Sequence, residues 1–181
     1  MLFRSDYSLS DAPAWVTESA HQLYNAKSTI IKANQRRMLG SAILPLLEAL
    51  GLNAATIHLN EQHGVTVTLH LILLDLQNTL GDRFPDAMSD ADILAAADRV
   101  SRTIVYTIHT PVKAGHDRFS RDLYSAISHK AFQRILNLLA HDDDVGHEYN
   151  FTAMAMRINR AINSVSRLHR DVTKKQFPAF E

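Results

Sequence analysis

Between Val65 and Leu73 apolar and polar side chains alternate: Val65, Val67, Leu69, Leu71 and Leu73 fall on one side, Thr66, Thr68 and His70 on the other. Period-2 alternation is the pattern of a β-strand with one dry face. The preceding stretch repeats it, with Ile57 and Leu59 opposed to Thr56, His58 and Asn60. Gln62, His63 and Gly64 lie between the two and suit a three-residue hairpin loop, glycine taking the left-handed position. In that register His58 opposes Thr68 and Thr56 opposes His70. A third alternating run sets Ile104, Tyr106 and Ile108 against Thr103, Val105, Thr107 and His109, and Pro111 ends it. The expectation is a small three-stranded antiparallel sheet over about 54–60, 65–74 and 102–110.

The rest of the chain reads as helix. Ser10, Asp11 and Pro13 form a helix start, and Val16, Ala20, Leu23, Ile30, Ile31 and Met38 follow at helical spacing. Gly40 and Ser41 break the register, and a shorter apolar helix ends at Gly51. Ser89 caps another, with Asp90 and Asp92 set favourably at its positive end. Five helices are predicted, over about 12–39, 41–51, 89–101, 119–140 and 149–174, covering the apolar face of the sheet. The fold class is α+β, in one domain spanning 1–181.

Composition excludes several functions. Nineteen Lys+Arg balance nineteen Asp+Glu, so there is no global basic footprint for nucleic acid. Zero cysteines exclude disulfides, thiolate zinc sites and a cysteine nucleophile. The first residues carry Arg4 and Asp6 and no apolar core of a signal peptide, and no apolar run approaches the ~20 residues of a membrane span. A cytoplasmic protein that engages no membrane is therefore expected. Phosphate-loop, dinucleotide-binding, nucleophile-elbow and zincin motifs are all missing, and no cofactor is expected.

Three groups of side chains remain as candidates. His58, His70 and His109 fall on the threonine-bearing strand faces, where imidazoles could hold zinc or exchange protons. Their neighbours are threonines rather than carboxylates, which reads better as the wet face of an antiparallel sheet. A second group, residues 141–148, packs two histidines and four carboxylates into eight positions; His141, Asp142, Asp143 and His147 are its candidate metal ligands. The third is the last helix, where Arg157, Arg160, Arg167, Arg170 and Lys174 gather opposite an apolar face and Lys175 extends them. Lys27, Lys32, Arg36 and Arg37 form a second basic group.

Arginine-rich helical faces suit phosphates or acidic protein surfaces, since the guanidinium fork pairs with both. The sequence reading is therefore a non-enzymatic binding or assembly protein. It would engage an acidic protein surface or a nucleic-acid backbone through Arg157, Arg160, Arg167, Arg170, Lys174, Lys175, Arg36 and Arg37, with self-association left open. The alternative is a metal-dependent (phospho)hydrolase built on His141, Asp142, Asp143 and His147. The tail places Phe177 and Phe180 around Pro178, and such a tail needs a surface to rest on.

Overall fold

A computed structural model describes residues 11–20, 22, 28–141 and 146–180. Among them, three strands form a parallel sheet in the order β1 (Ile57–Asn60), β2 (Ile104–Ile108), β5 (Ala161–Ser164). Two more, β3 (Arg118–Ser120) and β4 (Glu148–Asn150), pair antiparallel apart from it. Eight helices complete these residues: α1 (Ala14–Ala20), α2 (Thr29–Ala49), α3 (Val65–Leu80), α4 (Asp90–Ser101), α5 (Arg121–Ile127), α6 (Lys130–Leu139), α7 (Phe151–Ile158) and α8 (Arg167–Gln176).

The predicted antiparallel sheet is thus overturned, and the cause lies in one segment. Residues 65–80 are a helix rather than a strand. Two periods coexist there, because Val65, Leu69, Ile72, Leu76 and Leu80 are spaced as one helical stripe, and all are buried. The entire first turn, including Thr66 and Thr68, is also buried, so its polar positions carry no sign of a wet face. The Thr66 hydroxyl instead donates to the Arg36 carbonyl at 2.5 Å. With no strand at 65–74, β1 has no hairpin partner and pairs with β2, joined through α3 and α4. Such a crossover is what parallel pairing requires.

The helix boundaries shift for equally local reasons. The break expected at Gly40 and Ser41 is absent, and α2 runs on through both. Gly40 is a packing glycine: a Cβ there would meet the Thr66 Cβ at 2.7 Å, so its absence lets α3 approach closely. Serine 28 caps α2, while Ser10 and Lys27 lie outside the described residues. The helix expected over 119–140 is two, with His129 capping the second through a bond from Ala131 N. That expected over 149–174 becomes β4, α7, β5 and α8, with the Asn150 and Ser166 side chains capping the two helices. Ser89 and Asp92 form the capping box of α4, whose predicted extent holds.

Strand register gives the sheet two unlike faces. Leu59, Ile104, Tyr106 and Ile108 point into the core and are nearly or wholly buried. His58, Asn60 and Asn163 occupy the other face and are exposed. Across that face the Thr107 hydroxyl donates to Asn163 Oδ1. With its single proton so used, Thr107 accepts from His58 Nε2 at 2.6 Å. The core continues into an aromatic cluster in which Phe119 meets Phe151 at 4.9 Å and Tyr124 at 5.4 Å between ring centroids.

Helical and strand registers predict opposite outcomes at Ile72 of α3 and the same outcome at Leu74, which serves as the control. Ile72 would lie on the wet face of a strand, yet it is fully buried, and Leu74 is 46% exposed. Ile72→Ala should cost about 2–5 kcal/mol, and Leu74→Ala within about 0.5 kcal/mol. Urea denaturation followed by circular dichroism measures both.

Candidate active site at the carboxyl edge of the parallel sheet

Ligands of parallel sheets sit outside the carboxyl ends of the strands, where loops replace the ladder. At that edge β1 runs into Glu61, β2 into His109 and β5 into Val165 and Ser166. Glu61 has φ 71° and ψ 171°, a conformation that is essentially glycine's alone. Its N–H donates to the Thr107 carbonyl at 2.9 Å, which carries the β1–β2 ladder one residue beyond the strand. The side chain is only 9% exposed, and its Oε1 accepts the His109 N–H at 2.5 Å. Its other oxygen accepts the Gln62 N–H at 3.4 Å. A strained residue whose carboxylate grips the next strand's first loop residue holds the two strand ends at one spacing.

The surroundings build outward from that grip. Gln62 is fully buried, with its amide donating to the Gly115 carbonyl at 3.0 Å, and so holds the loop after β2. His63, half-exposed, lies 3.7 Å from Asp117, which also accepts from Arg36 at 2.7 Å. Burial lowers the His63 pKa, the Arg36 charge lowers it further, and Asp117 and Glu61 oppose both. Burial raises the Tyr106 phenol, and the Glu61 carboxylate adds to this, so its proton stays on. His116 is buried with Nδ1 3.0 Å from the Thr152 hydroxyl and Nε2 2.9 Å from Gln176 Oε1, and it stands edge-on to Phe177 at 5.0 Å. Through Gln176, whose amide also donates to the Pro111 carbonyl at 2.5 Å, the end of α8 is tied to the loop after β2. The tail thus docks on its own chain: Phe177 on His116, and Phe180 under the Arg157 guanidinium at 5.7 Å.

Chemically, Glu61 serves as a fixed acceptor rather than a free base, because both its oxygens are engaged. The exposed His109 imidazole, and the Nε2 side of the half-exposed His63 ring whose Nδ1 lies 3.7 Å from Asp117, can donate or accept at the same edge. Beside β5 lies a cavity of about 420 Å³ in which Asn163, Ser164 and Ser166 face Arg170 and Phe177. Hydroxyl, amide and aromatic groups side by side suit a polyhydroxylated ligand.

The sequence-derived candidates are dispersed by the fold. His70 is on α3, 5.5 Å from the Phe132 ring, so only His58 and His109 belong to the parallel sheet, on β1 and just past β2. With α7 and α8 separated by β5, the arginines form no single stripe. Arg157 is half-buried and donates to the Leu139 and His141 carbonyls, and Arg160 is paired with Asp98. Arg167, Arg170 and Lys174 line the cavity beside β5, Arg170 being paired with Asp171 and Lys175 exposed. Arg36 is paired with Asp117, and Arg37 sits on the Trp15 ring. His141 has Nδ1 3.0 Å from the Leu138 carbonyl, His147 is exposed, and Asp142 and Asp143 lie outside the described residues. Among the described residues no three His, Asp or Glu side chains group as metal ligands. Glu61 escaped the sequence reading because a hairpin loop explained it. Its one available signal was that two ionisable residues, Glu61 and His63, follow directly on a strand.

No protein-family model matches the chain. Over 160 residues, 86% of the chain, it is 32% identical to the maltodextrin phosphorylase of Thermococcus litoralis, covering 17% of that protein. Over 188 aligned positions, 97% of the chain, it is 24% identical to the glycogen phosphorylase of Aquifex aeolicus, covering 25% of it. The chain spans a quarter or less of the length of these curated relatives. Both are enzymes. This similarity overturns the reading of a non-enzymatic binding or assembly protein working through a basic last helix, and it lends nothing to the metal-dependent hydrolase.

Two measurements probe the edge itself. Glu61→Ala removes a charged acceptor from the His109 N–H and should cost about 1.5–3 kcal/mol in chemical denaturation, with faster amide exchange at His109. For His63, the unfolded chain binds a proton near pH 6.5, whereas the folded chain does so only at lower pH. Its contribution is therefore fully present above pH 6.5 and is lost as pH falls below it. Thermal melts should show stability falling as the pH drops below 6.5, with a shallower slope in His63→Gln.

Proposed function

We propose that this chain is a segment of a phosphorylase-type enzyme acting on α-glucans, and that the carboxyl edge of β1, β2 and β5 is one wall of its substrate site. A phosphorylase breaks a bond with inorganic phosphate in place of water, so its product is a phosphate ester. In this reading Glu61 positions the loop after β2, His109 and His63 contact substrate hydroxyls, and Asn163 and Ser164 border the neighbouring cavity. The observation that carries it is Glu61, held in a glycine-like backbone conformation with its carboxylate on the His109 N–H. A conformation costing about 1–3 kcal/mol persists where the surrounding structure enforces it, and such residues cluster at functional sites. Similarity to two glucan phosphorylases over most of the chain supports the same reading.

The test is titration of the chain with maltoheptaose by calorimetry, paired with an assay for sugar phosphate formed from maltodextrin and orthophosphate. Saturable maltoheptaose binding is expected, weakened about tenfold in His109→Ala (~1.4 kcal/mol), with thermal stability unchanged. Absence of binding by the folded chain, or a His109→Ala variant that binds as tightly as the parent, overturns the reading.

A further inference from the structure

A second cavity, of about 450 Å³, opens between α1, α2, α3, α5 and α6 and shares no lining residue with the one beside β5. Its volume is that of a small-molecule site. Five rings line it, from Trp15, His70, Tyr124, His129 and Phe132, with Leu73 and Ile127 adding aliphatic wall. Such a lining favours a flat apolar body.

Its polar groups are incompletely paired. The Arg37 guanidinium stands 4.6 Å above the Trp15 ring, half-buried, and among the described residues no carboxylate pairs with it. A half-buried cation without a counter-ion favours an anion brought from outside. Tyr124 is fully buried, and neither its hydroxyl nor the buried His70 Nε2 has a hydrogen-bond partner. Burial, reinforced by Arg37, lowers the His70 pKa, leaving Arg37 as the cation that faces the cavity beside a neutral imidazole.

We propose that this cavity binds a small planar aromatic carboxylate, its ring among Trp15, His70 and Phe132 and its carboxylate on the Arg37 guanidinium. A carboxylate matches the planar two-donor edge of arginine, and the ring matches the aromatic walls. This site stands independently of the glucan reading.

Trp15, the chain's single tryptophan, is a built-in reporter. Titration with benzoate should change its fluorescence saturably, with calorimetry as the parallel readout. Acetate, which lacks the ring, and benzyl alcohol, which lacks the charge, should each bind about tenfold or more weakly. Arg37→Gln should weaken benzoate about tenfold (~1.4 kcal/mol) and leave benzyl alcohol unchanged. Ser41→Phe, at an exposed α2 position on the cavity wall, should block benzoate without disturbing the core. The proposal is overturned if folded chain shows no saturable benzoate binding, or if both variants keep full affinity. Equal binding of benzyl alcohol, which would mean an apolar cavity alone, overturns it too, as does equal binding of acetate, which would mean a bare cation.

Discussion

Parallel pairing on both sides of β2 is the constraint from which the rest of the described structure follows. Two parallel strands cannot be joined by a tight turn, so the chain between each pair must cross back over the sheet. From β1 to β2 it does so through α3 and α4, and from β2 to β5 through β3, α5, α6, β4 and α7. Those crossovers bring Ile72, Ile93, Ile135 and Phe151, all fully buried, into one core with Tyr106 and Ile108. Because the strands run the same way, their three carboxyl ends meet at one edge, and the loops leaving them can share a site.

That edge is held by polar contacts. Glu61 grips the His109 backbone, Gln62 grips Gly115, and His116 with Gln176 ties the end of α8 to the same loop. The Gln176–Pro111 bond is exposed; the other three are partly buried, where an unmade partner costs more than a made one contributes. The loop after β2 is therefore fastened both by the residues that follow β1 and by the end of α8, while the imidazole of His109 stays exposed.

Much of the local structure was legible in the residues. Ser89 with Asp92 announced α4, and the alternations at Ile57 to Asn60 and Ile104 to Ile108 marked β1 and β2. The segment from Val65 defeated the same reasoning, since Val-Thr-Val-Thr-Leu satisfies a strand period while Val65, Leu69, Ile72, Leu76 and Leu80 satisfy a helical one. Burial on every side of the first turn removes the polar face that separates the two. Gly40 misled for a related reason: a glycine that admits a neighbouring helix reads like one that ends its own. The arginines of the last segment were correctly seen as basic but wrongly seen as one face, because β5 interrupts the helix.

The sequence by itself determined the cap of α4, the alternation that marks β1 and β2, the absence of thiol chemistry and the residues available for a site. Tertiary structure alone decided that β1 and β2 run parallel, that 65–80 is helical, and that Glu61 and His109 meet. The physical reason is that periodicity describes which side of an element is apolar, whereas pairing direction and strand-end contacts depend on residues far apart in the chain. Glu61 and His109 are 48 positions apart, and nothing local to either residue records the other.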